Sequence, residues 1–153
     1  MSAIATIRPD AWNFPLLLHL IGAMAMVGCL ILSASALVLA WRDGAPALVR
    51  LGYRSLLVGA LPAWLLMRVG GEWVASKEDL TGSNAPSWVD IGFNTADIGL
   101  LLLVIATVTA GLAVRRIRRD QSPGPLGRVP TGLVALLLVA YLVAIWAMTT
   151  KPT

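Results

Sequence analysis

The sequence predicts an all-α protein, a four-helix transmembrane bundle with both termini on the extracytoplasmic side. Three observations lead there. Hydrophobic residues make up 58% of the 153 positions and charged residues only 13%, whereas a soluble domain carries roughly a quarter charged residues. Four apolar segments, at 15–41, 51–74, 91–114 and 129–148, each reach the roughly 20 residues that cross about 30 Å of hydrocarbon. Finally, the arginines gather in two of the three connections, as cytoplasmic loops do. The whole chain, 1–153, reads as one membrane domain.

Punctuation bounds each segment. Arg42, Asp43, Gly44 and Pro46 follow the first, the polar run SKEDLTGSNAPS the second, and RRIRRDQSPGPLGR the third. The first segment is expected to stay as a membrane helix rather than be cleaved as a signal peptide. Arg8 is offset by Asp10, and the apolar run continues past the small residues 33–36 to Trp41. Gly22, Ala25, Cys29, Ser33, Ala36 and Ala40 recur every three or four residues, which predicts one side along which a neighbour approaches closely. In the second segment Pro62 removes a backbone hydrogen bond and predicts a kink, while Gly70 and Gly71 are expected to loosen the outer end. Its outer half is therefore predicted to be its least regular part.

Orientation follows from the basic residues. Arg42, Arg50 and Arg54 mark the first connection as cytoplasmic, and Arg115, Arg116, Arg118, Arg119 and Arg128 mark the third. The second connection pairs Lys77 with Glu78, Asp79 and Asp90 and falls outside. Trp12, Trp73, Trp88 and Trp146 then fall near the outer interface, as an aromatic belt does. The bias to Ala, Leu, Val, Gly and Arg points to a GC-rich bacterial genome, and the expected location is the bacterial inner membrane. Arg115, Arg116, Arg118 and Arg119 are expected to touch anionic headgroups rather than a dedicated partner. Because the basic residues are topology signals, a nucleic-acid role is excluded.

Ionisable side chains cost about 2.5 to 3.5 kcal/mol each inside a bilayer, so each needs a reason. His19, Arg68, Glu72 and Asp97 all fall at depths within the outer leaflet. Arg68 and Glu72 are four apart on one face with Trp64 a turn deeper, which predicts an ion pair and a cation-π contact. Asp97 is the expected partner on the third segment, and Asn94, Thr95 and Tyr141 would complete a polar cluster. Two readings stay open: an interhelical ion pair that sets register, or a small pocket for a headgroup, a quinone-like ring, a metal or a partner.

His19 is the single histidine, so a bis-histidine haem within one chain is excluded. Met24, Met26, Met67 and Met148 remain as axial partners; His19 with Met67 or Met148 would also suit copper(I), as an alternative reading. Cys29 stands alone, without a disulfide framework or CxxC pair. The sequence has no GxSxG, HExxH or phosphate-binding glycine loop. The expectation is therefore not an enzyme, with no cofactor specified.

The stretch LLLHLIGAMAMVG resembles the opening helix of small bacterial membrane proteins of the copper resistance D-like and neighbouring uncharacterised families. Those families commonly carry Trp-Val-Gly-Gly where this chain has Met26, Val27, Gly28 and Cys29. The segments PAWLLMRVGGEWVASKE and DIGLLLLVIATVTAGLAVRR are similar to small actinobacterial integral membrane proteins of unknown function. The resemblance implies a fold and a lineage and makes His19 a ligand candidate. The leading expectation is a non-enzymatic accessory or structural subunit, working in the lipid bilayer with a membrane protein partner or as a homo-oligomer. Alternatives are a redox, copper- or haem-handling protein using His19 and a methionine, and a small-molecule transporter acting as an oligomer.

Overall fold

The structure, a computed structural model, describes residues 13–78, 80, 86–122 and 124–150, with the side chain of Pro125 left aside. Arg8, Asp10, Trp12 and Asp79 lie outside the described residues. Helix α1 runs from Asn13 to Asp43, α2 from Pro46 to Arg54, α3 from Leu61 to Lys77, α4 from Ser87 to Ile117 and α5 from Val129 to Thr150. A π segment, Ser55–Ala60, joins α2 to α3 without a break, so the chain is helical from 46 to 77 and makes one long rod. No strand occurs among the described residues. Three helices, α1, α4 and α5, are by length and composition long and apolar enough to cross a membrane.

The rods alternate in direction. His19 meets Met67 and Ser33 meets Gly52 along the first pair, and Gly92 packs on Met148 and Gly99 on Tyr141 along the α4/α5 pair. Tyr53 packs on Gly111 where α2 meets α4. One end of the bundle, where α3 stops and α4 starts, carries Glu72, Glu78, Asp90 and Asp97. The other carries the arginines of the first and third connections. We call these the acidic and basic ends.

The connection from α1 to α2 is only two residues long because Gly44, at φ +64, adopts the left-handed turn that ends a helix. Pro46 then starts the next helix at a position where its missing N–H is not needed. Each segment extends a few residues beyond its apolar run. The second grows most, from the expected 51–74 to 46–77, because α2 is amphipathic and turns Arg50 and Arg54 outward while burying Val49 and Gly52.

The irregular part of the second rod lies beside Pro62, where the proline predicts a disturbance, and not in the outer half. Pro62 sits in the first turn of α3, directly after the π segment, and the Leu61 N–H reaches back five residues to the Leu56 carbonyl. The wider turn relieves the clash that a proline ring makes with the preceding turn. Ser33 donates its hydroxyl to the Gly52 carbonyl at 3.2 Å, and Ser55 donates to the Cys29 carbonyl at 3.0 Å, so α1 supports the backbone around the disturbance. The irregularity therefore faces the basic half, and the outer stretch 61–77 is regular α-helix. Gly70 and Gly71 do not loosen it: a Cβ on Gly70 would lie 2.5 Å from the His19 backbone nitrogen and 3.0 Å from the Pro15 carbonyl oxygen. Both glycines are there for close approach of α1.

The small-residue side of α1 is confirmed in part. Gly22, Ser33, Ala36 and Ala40 are buried, and Gly22 lies against the Met67 backbone. Ala25 is exposed and Cys29 half-buried with its sulfur against Gly59, because at 3.6 residues per turn the buried stripe passes through Met26 and Leu30 instead. The core runs along the axis through Met26, Leu30, Leu37, Leu56, Leu103, Val134 and Leu137. The outward faces are apolar as well: Leu17, Met24, Val58, Leu65, Ile98, Leu101, Val139 and Leu142 are all exposed.

Candidate functional site

The polar residues singled out in the sequence do converge on the acidic end, but they divide into two arrangements. The first is an ion network across α3 and α4. The Arg68 Nε–H donates to Asp97 Oδ1 at 3.0 Å, and Arg68 Nη1 lies 2.7 Å from Glu72 Oε1. This second contact is too oblique for a hydrogen bond, so Nη1 is buried without one. It is an electrostatic contact only. The Arg68 side chain is 20% exposed while those of Glu72 and Asp97 are 61% and 58% exposed, so the acids reach outward from a cation rooted in the bundle.

Arg68 stacks on Phe93, with Cζ 4.7 Å from the ring centroid, and not on Trp64 as the spacing predicts. Trp64 turns into the α3/α4 seam, where its indole N–H donates to the Ala96 carbonyl at 2.9 Å. A helix carbonyl already has an N–H partner four residues on, and its second lone pair takes this bond. Trp64, Arg68 and Phe93 together hold α3 and α4 apart by side-chain lengths.

The second arrangement is a cavity of about 350 Å³ enclosed by α1, α3, α4 and α5 at the acidic end. His19, Met67, Arg68, Tyr141 and Met148 line it, together with the apolar residues Ala23, Val27, Phe93 and Ala144. Glu72, Asp97 and Asn94 do not line it; Asn94 is exposed beside the ion network. Leu20 on α1 and Ile145 on α5 line the cavity and are exposed, at 49% and 41%, so it opens sideways between these helices.

His19 is no part of the ion network. Its Nδ1 lies 2.8 Å from the Met67 carbonyl oxygen, which can only accept, so Nδ1 carries the hydrogen and Nε2 keeps its lone pair in the neutral ring. Gly71 makes room for the imidazole, since a Cβ there would come within 3.0 Å of Nδ1. Tyr141 is 4% exposed and its hydroxyl, packed against Gly99, has no hydrogen-bond partner. Spacing alone cannot mark that orphaned hydroxyl, because partner and burial depend on how α4 and α5 seat.

Among the described residues no three of His, Cys, Asp and Glu come together as a metal-binding group. The three candidate copper ligands His19, Met67 and Met148 do line one cavity. Trp73 and Trp146 are exposed near the acidic end, Trp73 in edge contact with Phe14 at 6.0 Å, and Trp88 is half-buried. At the basic end Arg115, Arg116, Arg118 and Arg119 are all exposed, and Arg128 lies over Trp41 at 5.0 Å. Compared with known protein families, curated proteins and solved structures, the chain matches none.

Proposed function

We propose that this chain is a multi-pass protein of the bacterial inner membrane, with its four rods as the crossings. In this reading the acidic end and both termini are extracytoplasmic and the arginine-rich connections cytoplasmic, where Arg115, Arg116, Arg118 and Arg119 meet anionic headgroups. The unbroken apolar surface supports it: exposed residues such as Met24, Val58, Leu101 and Val139 would leave a patch far larger than a soluble monomer tolerates.

Within the membrane its role is that of a small accessory or structural subunit without catalytic activity. One observation carries this reading: the Arg68 network ties α3 to α4 and presents two outward carboxylates beside an apolar face. An ion pair at that place fixes helix register at a cost in stability, and the exposed acids and tryptophans offer a membrane protein partner or a second copy a place to dock. Co-purification in mild detergent tests this. The expected outcome is a stoichiometric complex that Glu72→Gln/Asp97→Asn weakens, and a chain that elutes only as a lone monomer overturns the subunit reading.

A second reading keeps His19 as a metal ligand. It is favoured by the Nδ1–H bond to the Met67 carbonyl, the arrangement that orients a histidine for ligation through Nε2. A thioether of Met67 or Met148 would complete a site suited to copper(I). Metal analysis of protein purified without chelators tests it, and copper-free, metal-indifferent protein removes it.

A further inference from the structure

The acidic-end cavity offers a nitrogen lone pair in an apolar wall. Leu16, Leu20, Ala23 and Val27 line it from α1, and their spacing of three and four residues puts them on one face of that helix. His19 stands at the edge of this face toward α3, because its Nδ1–H donates to the Met67 carbonyl at 2.8 Å. That bond occupies one ring nitrogen and leaves Nε2 as an acceptor. The Cε1 edge between the two nitrogens lies over Gly71, where a Cβ would come within 3.2 Å, and Gly71 and His19 both line the cavity. Among the described residues the buried side-chain nitrogens and oxygens without a hydrogen bond are Arg68 Nη1 and the Tyr141 hydroxyl, which have no accessible surface; Nε2 is not one of them, so it can be reached. An acceptor that meets hydrocarbon in place of a donor is costly.

We propose that the cavity binds a neutral lipophilic molecule through a hydroxyl group, which donates a hydrogen bond to His19 Nε2 while the apolar body leaves sideways past Leu20 and Ile145. The open group is an acceptor, so the ligand supplies the donor; a carbonyl or ether oxygen would set lone pair against lone pair. A charged donor would lose its hydration against an apolar wall, which costs far more than the same transfer of a hydroxyl. Glu78, the acid in the lining, stands eleven residues beyond Met67, about 16 Å at the helical rise, too far to pair with a charge at His19. The volume of about 350 Å³ is at the lower end of the range for small-molecule sites, so the body of a longer ligand has to leave it. The lateral opening suits a ligand that arrives from a bilayer.

The same donor is offered by a quinol ring and by the free hydroxyl of a diacylglycerol. The inference rests on the membrane placement proposed above, and on neither the partner nor copper. Cell fractionation tests that placement by itself: chain in the soluble fraction overturns both, whereas membrane-bound chain that binds no probe overturns the inference alone. The binding test uses the full chain, freed of copper with a chelator, in lipid nanodiscs. Each hydroxyl probe has a twin without the hydroxyl: decylubiquinol against decylubiquinone, and dioleoylglycerol against trioleoylglycerol. At least one hydroxyl probe is expected to raise the melting temperature saturably and to bind about tenfold tighter than its twin, the effect of one buried hydrogen bond; which pair shows the difference identifies the source. His19→Asn keeps an amide N–H where Nδ1 bonds the Met67 carbonyl and removes Nε2, so it should fold and lose the same factor. If that variant does not fold, the twin comparison on the unsubstituted chain decides alone. The inference is overturned if neither hydroxyl probe saturates, if both twins bind as tightly as their hydroxyl counterparts, or if folded His19→Asn binds as tightly as the unsubstituted chain.

Discussion

Helix α3 has two neighbours at the acidic end, and it meets them in opposite ways. Toward α1 the contact is backbone on backbone: Gly22 lies against the Met67 main chain and Gly70 against that of His19, with no room for a Cβ on either glycine. Toward α4 the contact is made by the longest side chains available, with Trp64 reaching the Ala96 carbonyl and Arg68 reaching Asp97 across Phe93. The first seam is closed and the second is propped open. A cavity appears where one helix is held close on one side and far on the other. The lesson is that the site owes as much to glycines that bring α1 in as to the polar residues that keep α4 out.

The closed seam is the place to break the contrast most severely. Gly70→Val drives a branched side chain into the α1 backbone, and overpacking of this kind costs about 3 kcal/mol. Thermal unfolding in detergent should show a large drop, or no folded protein at all. Gly28→Val is the matched control, because a Cβ on Gly28 meets nothing within 4 Å; its effect should stay within about 0.5 kcal/mol, as for a surface substitution. Similar losses in both variants would mean that helix propensity, and not close approach, governs this seam.

The propped seam should respond more mildly. Asp97→Ala leaves the Arg68 Nε–H without its acceptor, whereas Asp97→Asn keeps an oxygen in place. We expect the alanine variant to give the lower folded yield, by a difference on the order of 1 kcal/mol for one hydrogen bond to a charged group that is partly screened. Equal, wild-type-like yields would show that the network contributes nothing to the seam.

Smaller still is the effect expected at the π segment. Ser33→Ala removes the hydroxyl that supports the Gly52 carbonyl, and interhelical bonds of this type average about 0.6 kcal/mol. A melting temperature unchanged within error would leave the Ser55 bond to the Cys29 carbonyl as the tie between the π turn and α1. An effect of similar size is expected from Arg128→Gln at the basic end. Its contact with Trp41 is exposed, and exposed cation-π pairs are worth about 0.5 to 1 kcal/mol. A loss exceeding that of Asp97→Ala would reverse the ranking of the two ends.

Much of this was legible from residue order. The four rods follow from apolar runs, and the Arg68–Glu72 pair follows from a four-residue spacing. Asp97 as the partner on α4 followed from depth, since antiparallel helices place Arg68 and Asp97 at one level. Cation-π geometry was misjudged because Trp64 and Phe93 both lie within reach of Arg68, and which ring it takes depends on the rotation of α4 about its axis. Gly70 and Gly71 were misread for a related reason: a glycine pair looks the same in sequence whether it loosens a helix or admits a neighbour.

Hydropathy and charge order alone were enough for the number of rods, their alternation and the gathering of most arginines at one end, because these depend on local composition and on counting residues along a helix. Which faces meet was a tertiary matter. A helix that is apolar all round gives no periodic signal of its buried side, so only packing could decide that Met26 and Leu30 turn inward in place of Ala25, that a π turn absorbs Pro62, and that the Tyr141 hydroxyl ends without a partner beside a cavity.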